Sequence, residues 1–218
     1  MAPSLLYGLL ILLLALVAWR LWVYSGLRGI WVLAADGRAY RVHPAHRDRR
    51  GAANALAAVH ARCILLMRRL RRLWAVRPGA RGDIARRILE RYNSDSVFEN
   101  SPLNFHGDTA YTIGKGQQLA MCLREKNPLG SGHPELHDVH DIELLAFVAF
   151  HELAHLGVDV RQHPPEFWSA FKFLLAEARD GGILAPVDFT QRPHLYCGLV
   201  IDHNPLLDPR IATVPIEG

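Results

Sequence analysis

The segment AFVAFHELAHLGVDVRQH, residues 146–163, carries the side chains best suited to chemistry. His151 and His155 stand four apart. On an α-helix that spacing turns about 400°, so the two rings project about 40° apart on successive turns of one face. Two imidazoles so placed can grip one tetrahedral metal ion. Glu152 projects beside them. A glutamate at that place serves as general base toward a water the metal activates, and is not itself a ligand. A catalytic Zn2+ needs a third protein ligand and one open position. Three residues could supply the third ligand. His163 follows His155 after seven residues, enough for a turn that brings it back, and is the preferred choice. Glu166 on the next helix is its rival, and Asp159 lies closer to the end of the first helix. An oxyanion formed during hydrolysis also needs a partner; Tyr196 and His194 in the tail are the candidates.

The elements around these residues can be read from periodicity and punctuation. Residues 141–156 form a helix, with Asp138 or Asp141 as N-cap and Gly157 just past its end. The run LLAFVAF within it is apolar all round, as a buried helix is. Pro164-Pro165 opens a second helix that runs to about residue 179, stopped by Gly181-Gly182. Phe167 and Trp168 pack this helix against the first. Residues 109–114 and 118–124 are a pair of strands. The second, QLAMCLR, is the candidate edge strand for pairing with a peptide. Upstream, residues 30–42 form a hairpin about Asp36-Gly37. Residues 51–76 are a helix with Leu56, Val59, Cys63, Leu66, Met67, Leu70 and Leu73 on one stripe. A shorter helix spans 83–92. The tail after residue 186 is mostly loop with room for one short strand. His133, His137 and His140 share a loop, read as solvated in preference to a second metal site. His106 and His203 have no partner that sequence alone reveals.

The chain has 218 residues, half of them hydrophobic and 21% charged, with 17 Gly and 13 Pro. Such a composition excludes a disordered chain, a collagen-like chain and a long coiled coil. Three cysteines, Cys63, Cys122 and Cys197, cannot all pair and form no CxxC, so a disulfide scaffold is not expected and a reducing compartment is favoured. Cys122 reads as a small packed residue in a strand. The net charge of +4 conceals two unlike halves: residues 20–91 hold 17 Arg against 4 acidic residues, and residues 92–218 hold 8 basic against 17 acidic residues. The basic half lacks the interleaved aromatics of single-strand binders, so nucleic acid is not the favoured partner. A solvated face beside an anionic membrane leaflet explains it better.

Residues 4–24 are apolar apart from Arg20, the length that spans a bilayer as a helix. Trp19, Trp22 and Tyr24 suit the interface, and the arginines that follow place the rest of the chain in the cytosol by the positive-inside rule. A cleaved signal peptide is the competing reading, disfavoured by the missing basic n-region. The sequence thus predicts an anchor over 1–25, a basic hairpin and helical region over 26–92, and a catalytic domain over 93–218. The whole would be a single-pass membrane protein with its catalytic domain cytosolic.

HELAH followed by a histidine and Glu-Phe-Trp resembles the WLM/SprT-like zinc metallopeptidases. The wider pattern is similar to membrane-anchored WLM-type proteins of large DNA viruses and algae. It is carried by DGRAY, YTIGKGQQLAMCLR, FVAFHELAH, HPPEFWSAFKFLLAEA and YCGLVIDHNPL. The resemblance implies an α+β fold with a minimal zincin-like domain, in which a short sheet lies beside the zinc helix. It implies His151, His155 and His163 as ligands, Glu152 as base, and a protein or peptide substrate. The third histidine comes later than is usual in WLM proteins. The pattern departs from metzincins, where a glycine stands three and a histidine six after the second histidine. Two other readings stay open: a catalytically inactive, metal-stabilised, membrane-anchored interaction module, and a DNA-associated protease of the SprT/WLM type.

Overall fold

The computed structural model describes residues 3–24, 29–44, 46–100, 109–114, 116–125, 138–158, 160 and 162–216. His106, His133, His137 and Asp159 lie outside the described residues. The α+β class holds: the described residues form five helices and two sheets.

β1 (Ile30–Leu33) and β2 (Ala39–Val42) form the expected hairpin. Gly37 takes φ 80°, and the Asp36 carboxylate accepts from the Arg38 amide (3.0 Å) and the Tyr40 hydroxyl (2.8 Å), which fixes the turn. α2 (Arg49–Leu73) begins at Asp48, whose side chain accepts the Gly51 amide at 2.7 Å. The stripe from Leu56 to Leu70 is buried, as its 3.6-residue spacing requires. α3 (Ala80–Arg91) starts three residues earlier than its pattern indicates.

β3 (Val97–Glu99) has no counterpart in the sequence reading, and its presence reorders the sheet. It pairs in parallel with both β2 and β5 (Gln118–Met121), while β4 (Tyr111–Ile113) pairs antiparallel with β5. The order is β1-β2-β3-β5-β4. β5 is therefore an inner strand, and the expectation that QLAMCLR forms the edge is corrected: β4 is the edge. Beneath the sheet, Arg124 and Glu99 form a buried ion pair; Glu99 also accepts the His43 amide at 2.6 Å, and Arg124 reaches the Asp48 carbonyl at 2.6 Å. Burial raises the Glu99 carboxyl above its usual range, and Arg124 and the His43 amide pull it part of the way back.

α4 (Ile142–Val158) lies in the middle of the core, packed by α2, α3 and α5 (Pro165–Asp180). Asp141 caps it, accepting the Glu143 amide at 2.7 Å. Gly157 does not end the helix. It sits inside it, where a Cβ would come within 2.8 Å of Ile84 and 3.2 Å of Ile88 on α3, so glycine allows the two helices to approach. The terminal carbonyls of α4 are met by α3: Arg87 donates to Gly157 (3.1 Å) and Arg91 to Leu156 (2.9 Å). Arg62 pairs with Glu143 on α4, and Arg69 with Glu177 on α5 at 2.7 Å. Four arginines of the basic half thus tie helices together, while Arg68, Arg71 and Arg72 on α2 stay exposed.

The tail is more ordered than expected. β6 (His194–Tyr196) and β7 (Leu199–Ile201) form a second hairpin. Cys197 is joined to Cys122 by a disulfide across 75 residues, which corrects the reading of Cys122 as a packed free residue and removes the cysteine argument for a reducing compartment.

The membrane expectation is also corrected. α1 (Pro3–Tyr24) forms over the apolar run, yet among the described residues no helix is long and apolar enough to cross a membrane. The single-pass, cytosol-facing arrangement predicted from residues 1–25 falls with it.

Candidate metal centre

His151 and His155 project from α4, and His163 from the turn that leads into α5. Pro164 and Pro165 start α5 directly after that histidine, and the Pro164 carbonyl accepts the Phe167 amide at 2.9 Å. The chain reversal therefore returns His163 to the α4 rings. The His163 and His151 Nε2 atoms lie 3.0 Å apart, and one ligand nitrogen from each of the three histidines falls within 4.8 Å of the others. These three residues form a cluster that could hold a metal ion. Glu166, exposed in the first turn of α5, is not part of it.

Three features suit the cluster to a cation. The first concerns tautomers. His155 Nδ1 lies 2.7 Å from the Val160 carbonyl oxygen, so Nδ1 carries the proton and donates, and Nε2 keeps its lone pair for a metal. The second is charge. Burial, reinforced by the neighbouring His155 and His163, drops His151 to about 3, and burial also lowers His155 and His163. All three imidazoles are thus neutral near pH 7, the form that binds metal. The third is packing. The buried Phe167 ring lies 4.8, 4.3 and 4.6 Å from the rings of His151, His155 and His163. Phe171 adds a contact to His151 at 5.3 Å, and Trp168 one to His163 at 5.6 Å. Phe167 is core, as expected, but it also acts as the floor on which the ligands rest. A tetrahedral ion with bonds of about 2.05 Å would set ligand nitrogens about 3.3 Å apart, close to the His151–His163 separation found. Among the described residues no other group of histidine, cysteine and acidic side chains reaches comparable proximity.

The cluster opens into a cleft of about 1170 Å³. Glu152, buried, contributes to its wall. So does Tyr196, whose hydroxyl donates to the Cys122 carbonyl at 2.9 Å; burial and the nearby Glu152 charge push that phenol upward. His194, the other oxyanion candidate, packs on Phe189 at 5.7 Å and is not in the cleft wall. His140 stands outside it too, 3.3 Å from Glu125 and beside Tyr196. Three contributors escaped the sequence reading: the β4 edge, the β7 strand and His203, which lines the cleft and lies 3.7 Å from Asp208. A tail segment in which Asp-His-Asn-Pro follows a short apolar run gives no local signal that it returns to the site.

The chain is 33% identical over 120 residues to an uncharacterized protein of Acanthamoeba polyphaga mimivirus, covering 53% of this chain and 56% of that one. It is 31% identical over 96 residues to an uncharacterized protein of Invertebrate iridescent virus 6, covering 44% of this chain and 49% of that one. The chain thus spans about half the length of the curated relatives it matches. No family model matches it. No solved structure matches it either.

Proposed function

We propose that this chain is a zinc metallopeptidase of the WLM/SprT-like kind, an endopeptidase that hydrolyses peptide bonds. One observation carries the reading: three imidazoles converge in the wall of a cleft large enough for a peptide, which a buried glutamate also lines. His151, His155 and His163 would hold the ion. An all-imidazole donor set suits zinc, though it also accommodates copper, iron or nickel. Zinc at such a site supplies a Lewis acid that polarises the scissile carbonyl and makes water acidic enough to attack near neutral pH.

The remaining steps belong to the chain. Glu152 takes a proton from the attacking water as its oxygen bonds to the carbonyl carbon. The C–N bond then breaks, and Glu152 passes the proton to the leaving amine nitrogen. Tyr196 lies in the cleft wall as a candidate to meet the developing oxyanion; to do so its hydroxyl must leave the Cys122 carbonyl. The buried Glu152 favours this reading over an inactive metal-stabilised module, which has no use for a base. The DNA-associated alternative is weakened because Arg62, Arg69, Arg87 and Arg91 are engaged with carboxylates or helix-end carbonyls.

Chelation of the full-length chain is expected to abolish cleavage of an unfolded substrate such as casein, and added zinc to restore it. Cleavage that continues after the metal has been stripped contradicts the proposal.

A further inference from the structure

Two strand edges border the cleft. Among the described residues β4 ends the five-stranded sheet, and β7 has β6 as its one strand neighbour. Both contribute to the wall that the imidazoles also line, Tyr111 and Thr112 from β4, Leu199 and Val200 from β7. An extended peptide pairs with such an edge through backbone hydrogen bonds, and the side chains around it decide which residues are accepted. Those side chains are uncharged on both strands. On β7 they are also apolar and open to solvent, Leu199 55% and Val200 62% exposed.

The β6–β7 hairpin is held firmly for a segment near the end of the chain. Its two-residue turn places Cys197 at φ 52° and Gly198 at φ 87°, the conformation that matches strand twist. Both turn amides donate to the Glu125 carboxylate, at 3.0 and 3.1 Å. The Cys122–Cys197 disulfide and the Tyr196 hydroxyl bond to the Cys122 carbonyl tie it to the chain just after β5. An apolar surface fixed in place before binding loses little freedom on binding.

We infer that the β6–β7 hairpin is the specificity wall of the cleft, and that Leu199 and Val200 select extended peptides with bulky apolar side chains. This rests on the peptidase reading for its biological sense, but its test is binding and not turnover. The zinc-loaded full chain carrying Glu152→Gln is titrated with fluorescein-labelled octapeptides bearing either leucine or glutamate at alternate positions. The leucine peptide is expected to bind about tenfold tighter or more. Val200→Asp and Leu199→Asp, both exposed substitutions, should each erase that preference with zinc content unchanged. Removing the disulfide by the paired substitutions Cys122→Ser and Cys197→Ser should weaken leucine-peptide binding and leave the metal in place. Equal affinity for the two peptides, no binding of either, or an undiminished preference in both aspartate variants overturns the inference. Selective binding without hydrolysis by the Glu152-containing chain would instead overturn the peptidase reading and leave the wall intact.

Discussion

Glu152→Gln is expected to lower peptide hydrolysis by about 10²–10⁴-fold while metal content stays the same. The substitution keeps the size of the side chain and removes only its ability to take and return a proton. Glu152 is buried on the α4 turn that also bears His151, so the variant leaves the imidazole cluster and its Phe167 floor as they are. The check is turnover on one peptide together with metal per chain. An unchanged rate would remove Glu152 from the mechanism, and a loss of metal would make it a ligand.

The second large effect concerns stability. Arg124→Met should cost about 3–5 kcal/mol, because it strands the Glu99 carboxylate in the protein interior. Arg124 is the counter-charge that opposes the burial of Glu99, and the pair ties β3 and the end of β5 to the start of α2. Urea denaturation at neutral pH measures the loss. Adding Glu99→Gln should recover a large part of it, since an uncharged amide needs no counter-ion. The pH dependence has a definite sign. Without Arg124 the folded-state pKa of Glu99 rises further above its unfolded value, so the deficit is smallest in acid, grows as the pH climbs from the wild-type pKa toward that of the variant, and levels off above it. A deficit independent of both pH and the partner substitution would show that the pair is not what holds these elements.

The parts of the site that were legible from sequence are those set by local geometry. His151, Glu152 and His155 follow from helical pitch, and His163 is preferred over Glu166 and Asp159 because a turn and a proline-led helix start can bring it back. The stripe on α2 and the all-apolar α4 are legible for the same reason: periodicity reports which face is buried. The rest depends on partners far away in the chain. β3 is three residues long, too short for a pattern, yet it moves β5 inward and makes β4 the edge. The Cys122–Cys197 bond closes 75 residues, a distance over which spacing carries no information. Gly157 looks like a helix stop, and only the approach of Ile84 and Ile88 shows its role in packing. Arg62, Arg69, Arg87 and Arg91 look like part of a charged face until Glu143, Glu177 and the carbonyls of Leu156 and Gly157 are placed beside them. The apolar N-terminal run is the clearest case of composition misleading, since a hydrophobic segment by itself gives neither the length of a span nor its surroundings.

The central claim is that three histidines bind one metal ion. Elemental analysis of the full-length chain after exhaustive dialysis against metal-free buffer tests it most directly, with His163→Ala alongside. About one zinc per chain is predicted, falling well below that in the variant, because a site with two imidazoles no longer meets the three-ligand requirement of a catalytic zinc. A chain that holds no metal, or one whose zinc is untouched by His163→Ala, would contradict the account.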